Sequence, residues 1–214
     1  MAAAGRVWLF DLDNTLHDAS PHIFPHINRS MRQYIERHLG LDPEEASRVR
    51  QQYWERYGAT LLGLMQNHDT DPRHFLRETH KFPDLKAMVV FRKTTLRALH
   101  RLPGKKIIFS NAPRHYMEAV LKITGLWRHF DAAYAVENLR FRPKPMRAGF
   151  HALLRAEHLD PRRCIMVEDS LINLVAAKKL GMKTVWVSTD LRQSSFVDIK
   201  IRDIRQLPER YARL

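Results

Sequence analysis

The chain has 214 residues, 44% of them apolar and 28% charged, with 8 Gly, 11 Pro and one Cys. That composition can bury a core, and it excludes a collagen-like, low-complexity or disulfide-framed protein. Thirty-six Lys and Arg against 23 Asp and Glu give a formal charge of +13, a field that draws anions from small phosphates to nucleic acid without naming one.

The opening "MAAAGRVWLF" carries too short an apolar run for a secretory leader before it meets Asp11, and no window approaches the roughly 20 apolar residues of a membrane helix. A lone cysteine fits a reducing compartment. The expectation is a soluble cytoplasmic protein with no membrane partner; oligomeric state is not written in the chain.

The first element is the run Val7–Asp11, short, apolar and bounded like a buried strand, and it ends in "DLDNT" with Asp11 and Asp13 two positions apart and Thr15 beyond. Further runs of about five residues, the usual strand length, stand at 106–110, 132–136, 164–168 and 184–187. Helical patterns separate them. "PRHYMEAVLKITG" has Tyr116, Val120, Leu121 and Ile123 on one stripe and Gly125 at its end; "MRAGFHALLRAEHL" follows the third run, and "LINLVAAKKLG" follows the fourth with Gly181 as its stop. Strands alternating with single helices predict an α/β fold with a parallel sheet of about five strands, covered on both faces.

About 95 residues separate Asp11 from Lys106, against the 30 or so of an ordinary strand-helix-strand unit. The intervening sequence reads as helical. "SPHIFPHINRSMRQYIERHL" opens with Ser20 and Pro21, although Pro25 moves the helix start later; "DPEEASRVRQQYWERYG" and "DPRHFLRETH" both open with Asp-Pro. The expected organisation is a core of residues 1–16 and 92–214 with an all-helical cap, 17–91, inserted after strand 1.

In an open parallel sheet the carboxyl ends of the strands face the ligand. There the chain collects Asp11, Asp13 and Thr15, then Ser110 and Asn111 of "FSNA", Lys144 of "RPKP", and Glu168 and Asp169 of "VEDS". Carboxylates crowded together repel unless a cation sits among them. Asp11 and Asp169, with Asp13 through its backbone carbonyl and Glu168 alongside, make the candidate magnesium site, since oxygen donors and retained waters suit that ion. His22 and His26 have helical spacing but no third partner, so zinc is not expected. A magnesium ion beside an ammonium and a hydroxyl suits a phosphate dianion. Asp11, rigidly held at the strand end, is the candidate nucleophile; Asp13, in the loop, is the candidate acid and base, a role worth roughly 10² to 10⁴ in rate. Asn111 is a candidate substrate contact.

"DLDNT", "SNA", the lysine of "RPKP" and "EDS", in that order with a helical insert after the first, resemble the haloacid dehalogenase superfamily, mostly magnesium-dependent phosphatases with a Rossmann-like core and a cap. The resemblance implies Asp11 as nucleophile, Asp13 as acid and base, Ser110 and Lys144 as the phosphoryl-binding pair, and Asp169 as magnesium ligand with Glu168 beside it. True dehalogenases of the superfamily lack the second carboxylate, so Asp13 favours phosphate chemistry. "YGATLLGL", "FDAAYAVENLRFRPKP" and "EDSLINLVAAKKLGM" are similar to the pyrimidine 5′-nucleotidase subfamily, which implies a nucleoside monophosphate as the small phosphorylated partner and suggests Gly58, Thr60 and Gly63 as pocket formers. His17 and Asp18 stand where that subfamily often has Tyr-Pro. Two other readings stay open: a phosphatase for a sugar phosphate, phosphoglycolate or vitamin phosphate, and a basic nucleic-acid-binding protein, against which stands the lack of any basic strand interleaved with aromatic residues.

Overall fold

The computed structural model describes residues 5–214. The chain forms two compact units, one from the segment up to Asp18 together with Val90–Leu214, the other Ala19–Val89. In the first, strands β1 (Val7–Phe10), β2 (Lys105–Phe109), β3 (Ala132–Tyr134), β4 (Cys164–Glu168), β5 (Lys183–Val187) and β6 (Ile199–Ile201) make one sheet ordered β3-β2-β1-β4-β5-β6. Every neighbouring pair is parallel. β1 lies between β2 and β4, and all four of its residues are buried, as a strand covered on both faces requires. β6 adds a sixth strand beyond the five expected: its three residues are too few to show a pattern, and the edge of β5 supplies the pairing. The third strand stops at Tyr134 because the Ala135 N–H turns to the Asn138 side chain, 3.0 Å away.

The helical unit contains α1 (Ile23–Leu39), α2 (Pro43–Tyr57), α3 (Thr60–His68), α4 (Pro72–Thr79) and the single turn α5 (Leu85–Met88). Pro25 falls in the first turn of α1, where its missing N–H costs no hydrogen bond. Asp42 caps α2, accepting from the backbone of Glu44 and Glu45 while Glu45 reaches back to the Asp42 N–H. Gly40 and Gly58 close α1 and α2 at φ of 66° and 79°, a left-handed turn that glycine adopts without steric cost. Inside, Ile23, Ile35, Leu64 and Phe75 are fully or almost fully buried, and Phe75 meets Tyr34 edge-on at 5.0 Å.

In the sheet unit the remaining helices are α6 (Thr94–His100), α7 (Arg114–Thr124), α8 (Arg147–Ala156), α9 (Leu171–Lys179) and α10 (Leu207–Arg210). Side chains alternate across the sheet. Val7, Leu9, Ile107, Phe109, Cys164 and Met166 join Phe150 and Leu153 of α8 and Leu174 and Ala177 of α9 in one cluster. On the other side, Trp8 stacks on Phe10, Phe10 meets Phe130 edge-on, and the Trp8 indole donates to the Pro103 carbonyl. Each such buried Leu or Phe contributes roughly 1.5–3 kcal/mol, so β1 is anchored from both sides up to its last residue. The reactive groups follow at once.

Candidate active site

β1 ends at Phe10, in register with Val167 of β4. The Asp11 N–H continues the ladder to the Val167 carbonyl at 3.0 Å, which sets Asp11 beside the Glu168–Asp169 pair. From β1 the sheet extends through β2 and β3 one way and through β4, β5 and β6 the other. That divergence is a topological switch point, and the carboxyl ends of the strands flanking it are where such sheets bind ligands.

Lys144 reaches the same place from the segment before α8. Its Nζ donates to an oxygen of Asp11 and to one of Glu168, both at 2.7 Å, and the side chain is 1% exposed. Its backbone and the segment leading to it are each held in place. The Asn111 side-chain amide accepts from the Lys144 N–H at 2.8 Å and donates to the Lys144 carbonyl at 2.9 Å. Gly149, in the first half of α8, packs so tightly on the preceding segment that a Cβ there would lie 2.1 Å from the Arg142 carbonyl oxygen. Asn111, expected as a substrate contact, thus also positions Lys144, with one hydrogen bond from each end of its amide. Ser110, buried at the end of β2, accepts the Ala112 N–H at its Oγ, 3.1 Å away.

The electrostatics are unbalanced. Burial, then the Glu168 charge, raises Asp11 well above the ordinary carboxylate range, against the pull of Lys144. Asp169 is raised by burial and by the charges of Asp11 and Glu168. For Lys144, burial alone would favour loss of the proton, but Asp11 and Glu168 outweigh it and hold the ammonium charged. One cation serves three carboxylates. One oxygen each from Asp11, Glu168 and Asp169 lies within 4.8 Å of the others, and this is the only such acidic, histidine or cysteine group among the described residues. Clustered oxygen donors that resist ionisation without a counter-charge fit a hard divalent cation. Glu168 already accepts from Lys144 and from the Ser170 N–H, and the Trp186 indole steadies the Asp169 carbonyl at 2.8 Å.

The Asp13 carboxylate is not part of that acidic group. Its Oδ1 accepts from the Tyr116 hydroxyl at 2.5 Å and pairs with His17 Nε2 at 2.8 Å; the metal contact expected of this residue is through its backbone carbonyl. Burial and the Asp13 charge raise the Tyr116 phenol far above its usual value, so it remains a donor. Tyr116 lies on the apolar stripe of its helix, which says nothing of its hydroxyl; for His17 the sequence signal is its four-residue spacing from Asp13. Thr15 is buried, with its hydroxyl unpartnered among the described residues. Thr60, expected as a substrate contact, is interior to the helical unit and donates to the Arg50 carbonyl at 3.0 Å. Gly63 faces the Tyr53 ring, which a Cβ would strike at 2.2 Å. These two positions pack α3 on α2.

Known proteins bear on the same residues. A family model described as haloacid dehalogenase-like hydrolase matches residues 6–181. The validoxylamine A 7′-phosphate phosphatase of Streptomyces hygroscopicus subsp. limoneus is 24% identical over 94% of this chain and 95% of its own length. The GMP/IMP nucleotidase YrfG of Escherichia coli is 28% identical over 67% of this chain and 65% of its own. Phosphate metabolism protein 8 of Saccharomyces cerevisiae is 28% identical over 60% of this chain, which spans only 42% of that protein. Among solved structures, a HAD phosphatase from Thermococcus onnurineus superposes with a TM-score of 0.62 at 24% identity, over 95% of this chain and 96% of that one, a likeness of fold. The family match runs from the residue before β1 to the glycine after α9 and so takes in every strand end that carries a reactive group: the chain belongs to the haloacid dehalogenase-like hydrolases.

Proposed function

We propose that the protein is a magnesium-dependent phosphomonoesterase that hydrolyses nucleoside 5′-monophosphates, pyrimidine forms preferred, through an aspartyl phosphate on Asp11. The observation that carries this reading is the Lys144 ammonium held 2.7 Å from Asp11 and from Glu168, beside Asp169. It fixes one oxygen of Asp11 and leaves the other for phosphorus. Asp11, Asp169 and the backbone of Asp13 would hold magnesium, with Glu168 bracing Lys144 alongside. When bound, the ion supplies positive charge against the phosphoryl oxygens and against the carboxylates.

The chain's own groups do the rest. Asp11 attacks phosphorus, and the bond to the leaving oxygen breaks with its electron pair. Asp13 gives that oxygen a proton, so the alcohol departs neutral. A water then gives its proton to Asp13 as its oxygen attacks phosphorus, releasing inorganic phosphate and restoring both aspartates. Ser110, whose Oγ accepts from Ala112, keeps its hydroxyl hydrogen for a phosphoryl oxygen. The nucleotide substrate is supported by the likeness to a protein named as a GMP/IMP nucleotidase and by the segments around 57–64, 130–145 and 168–182 that resemble pyrimidine nucleotidases.

A second reading has its own support. The relative named glyceraldehyde 3-phosphate phosphatase of Pyrococcus furiosus is 25% identical over 95% of this chain and 92% of its own length, and it points to small phosphorylated carbon compounds. Comparing kcat/KM with magnesium over UMP, CMP, GMP, IMP and a set of sugar and triose phosphates separates the two. UMP and CMP at the head of the series supports the proposal; a triose phosphate at the head replaces it.

A further inference from the structure

The hydroxyl of Tyr116 and the imidazole of His17 converge on the same atom, Oδ1 of Asp13, from α7 and from the loop after β1. Among the described residues the other oxygen of Asp13, Oδ2, has no such pair of donors. The Asp13 side chain keeps 15% of its surface exposed, whereas that of His17 has none. An oxygen that accepts from two donors has both lone pairs engaged. Adding a hydrogen to Oδ1 would expel one of them into a buried site, where an unmade hydrogen bond costs roughly 1–3 kcal/mol.

We infer that Tyr116 and His17 are positioning residues for proton transfer, saturating Oδ1 of Asp13 so that the transferable proton is carried on Oδ2. The inference rests on the reading of Asp13 as acid and base. In the first half-reaction the P–O bond of the ester breaks, its electron pair goes to the leaving oxygen, and the proton on Oδ2 joins that oxygen to give a neutral alcohol. In the second, a water proton returns to Oδ2 as the water oxygen bonds to phosphorus and the Asp11–phosphorus bond breaks. Oδ1 keeps its two hydrogen bonds throughout, so the carboxyl does not rotate between the half-reactions. His17 fits this task through its own burial: Nδ1 has no partner among the described residues, so placing the ring hydrogen on Nε2, aimed at Oδ1, avoids a buried N–H without an acceptor.

The test compares esters that need a protonated leaving group with one that does not. para-Nitrophenolate leaves as an anion, whereas the alkoxide of an alkyl phosphate requires the proton, and kcat/KM reports only the steps up to leaving-group loss. Tyr116→Phe and His17→Leu are expected to lower kcat/KM for the best alkyl phosphate at least roughly tenfold more than for para-nitrophenyl phosphate, within the range of general acid catalysis. Asp13→Asn should show the same selectivity more strongly, and His17→Gln, whose amide places a donor where Nε2 stood, should recover most of the loss. If Asp13→Asn is selective while Tyr116→Phe and His17→Leu reduce both substrates by the same factor, the two residues only pack and the inference falls. If Asp13→Asn itself shows no selectivity, the acid assignment fails and takes the inference with it. Should His17→Leu not fold, Tyr116→Phe and His17→Gln decide the matter.

Discussion

Lys144 and Asp11 are separated by 133 positions in the chain, yet the ammonium of one lies 2.7 Å from a carboxylate oxygen of the other in a site that excludes solvent. The contact ties the end of β1 to the segment before α8 and places a fixed positive charge where a phosphoryl group would arrive.

Removing that charge leaves Asp11 and Glu168 buried and uncompensated. Lys144→Met is expected to lower phosphatase activity by roughly 10³-fold or more, since a preorganised charge at the reacting centre is lost. It should also destabilise the fold by about 3–5 kcal/mol, the usual cost of breaking a buried pair from one side. Urea unfolding with magnesium absent measures the second effect; an unchanged midpoint would mean the ion pair is not formed in solution.

Stability should depend on pH in a direction set by Asp11 and Asp169. Burial and neighbouring carboxylates raise both above their unfolded values, so the folded state holds protons that the unfolded chain has released. Their contribution is fully present below the ordinary carboxylate range and is lost as pH rises through the raised values. Without metal, Tm should fall between pH 5 and pH 8. Magnesium should restore more of it at the upper end, because its ligands must be deprotonated. A magnesium-induced Tm shift that is larger at pH 5 than at pH 8 would contradict this charge balance.

Gly149 makes a local prediction. Alanine there brings a methyl group to 2.1 Å from the Arg142 carbonyl oxygen, and backbone must move to admit it. Gly149→Ala is expected to destabilise by about 1–3 kcal/mol, as overpacking does, and to reduce kcat by shifting Lys144. Stability and kcat both equal to those of the parent would show that the segment before Lys144 is not constrained by α8.

Cys164 opens β4 with its side chain buried in the sheet core. Burial, with a smaller contribution from Asp160, pushes its thiol up to about 12. The native protein should therefore resist a thiol-specific disulfide reagent at pH 8 and react with one equivalent once unfolded. Rapid labelling of the native protein would contradict this packing.

The residues that end strands were legible in the sequence because each follows a short apolar run: Asp11 after "VWLF", Ser110 after "IIF", Glu168 after "CIMV". The inserted helices showed through Asp-Pro starts, which Asp42 and Asp71 bear out as caps. What could not be read was the direction of side chains in loops. Asn111 follows Ser110 and looks equally available to a ligand, but the sequence does not show that its amide bonds at both ends to Lys144, 33 residues away. Thr60 opens a helix, where hydroxyls often point outward, yet it bonds to Arg50 of the helix before it. Tyr116 reads as core by spacing, and its ring is core; only its hydroxyl, which periodicity does not address, reaches Asp13. β6 escaped because three residues carry no periodicity.

In the proposed mechanism Asp11 accepts the phosphoryl group. Mixing enzyme, magnesium and radiolabelled substrate, quenching in acid within a turnover and digesting the protein measures it directly. Label is expected on the peptide containing Asp11, with neither label nor inorganic phosphate from a folded Asp11→Asn variant. Phosphate released by that variant at the parent's rate, or label on another residue, would contradict it.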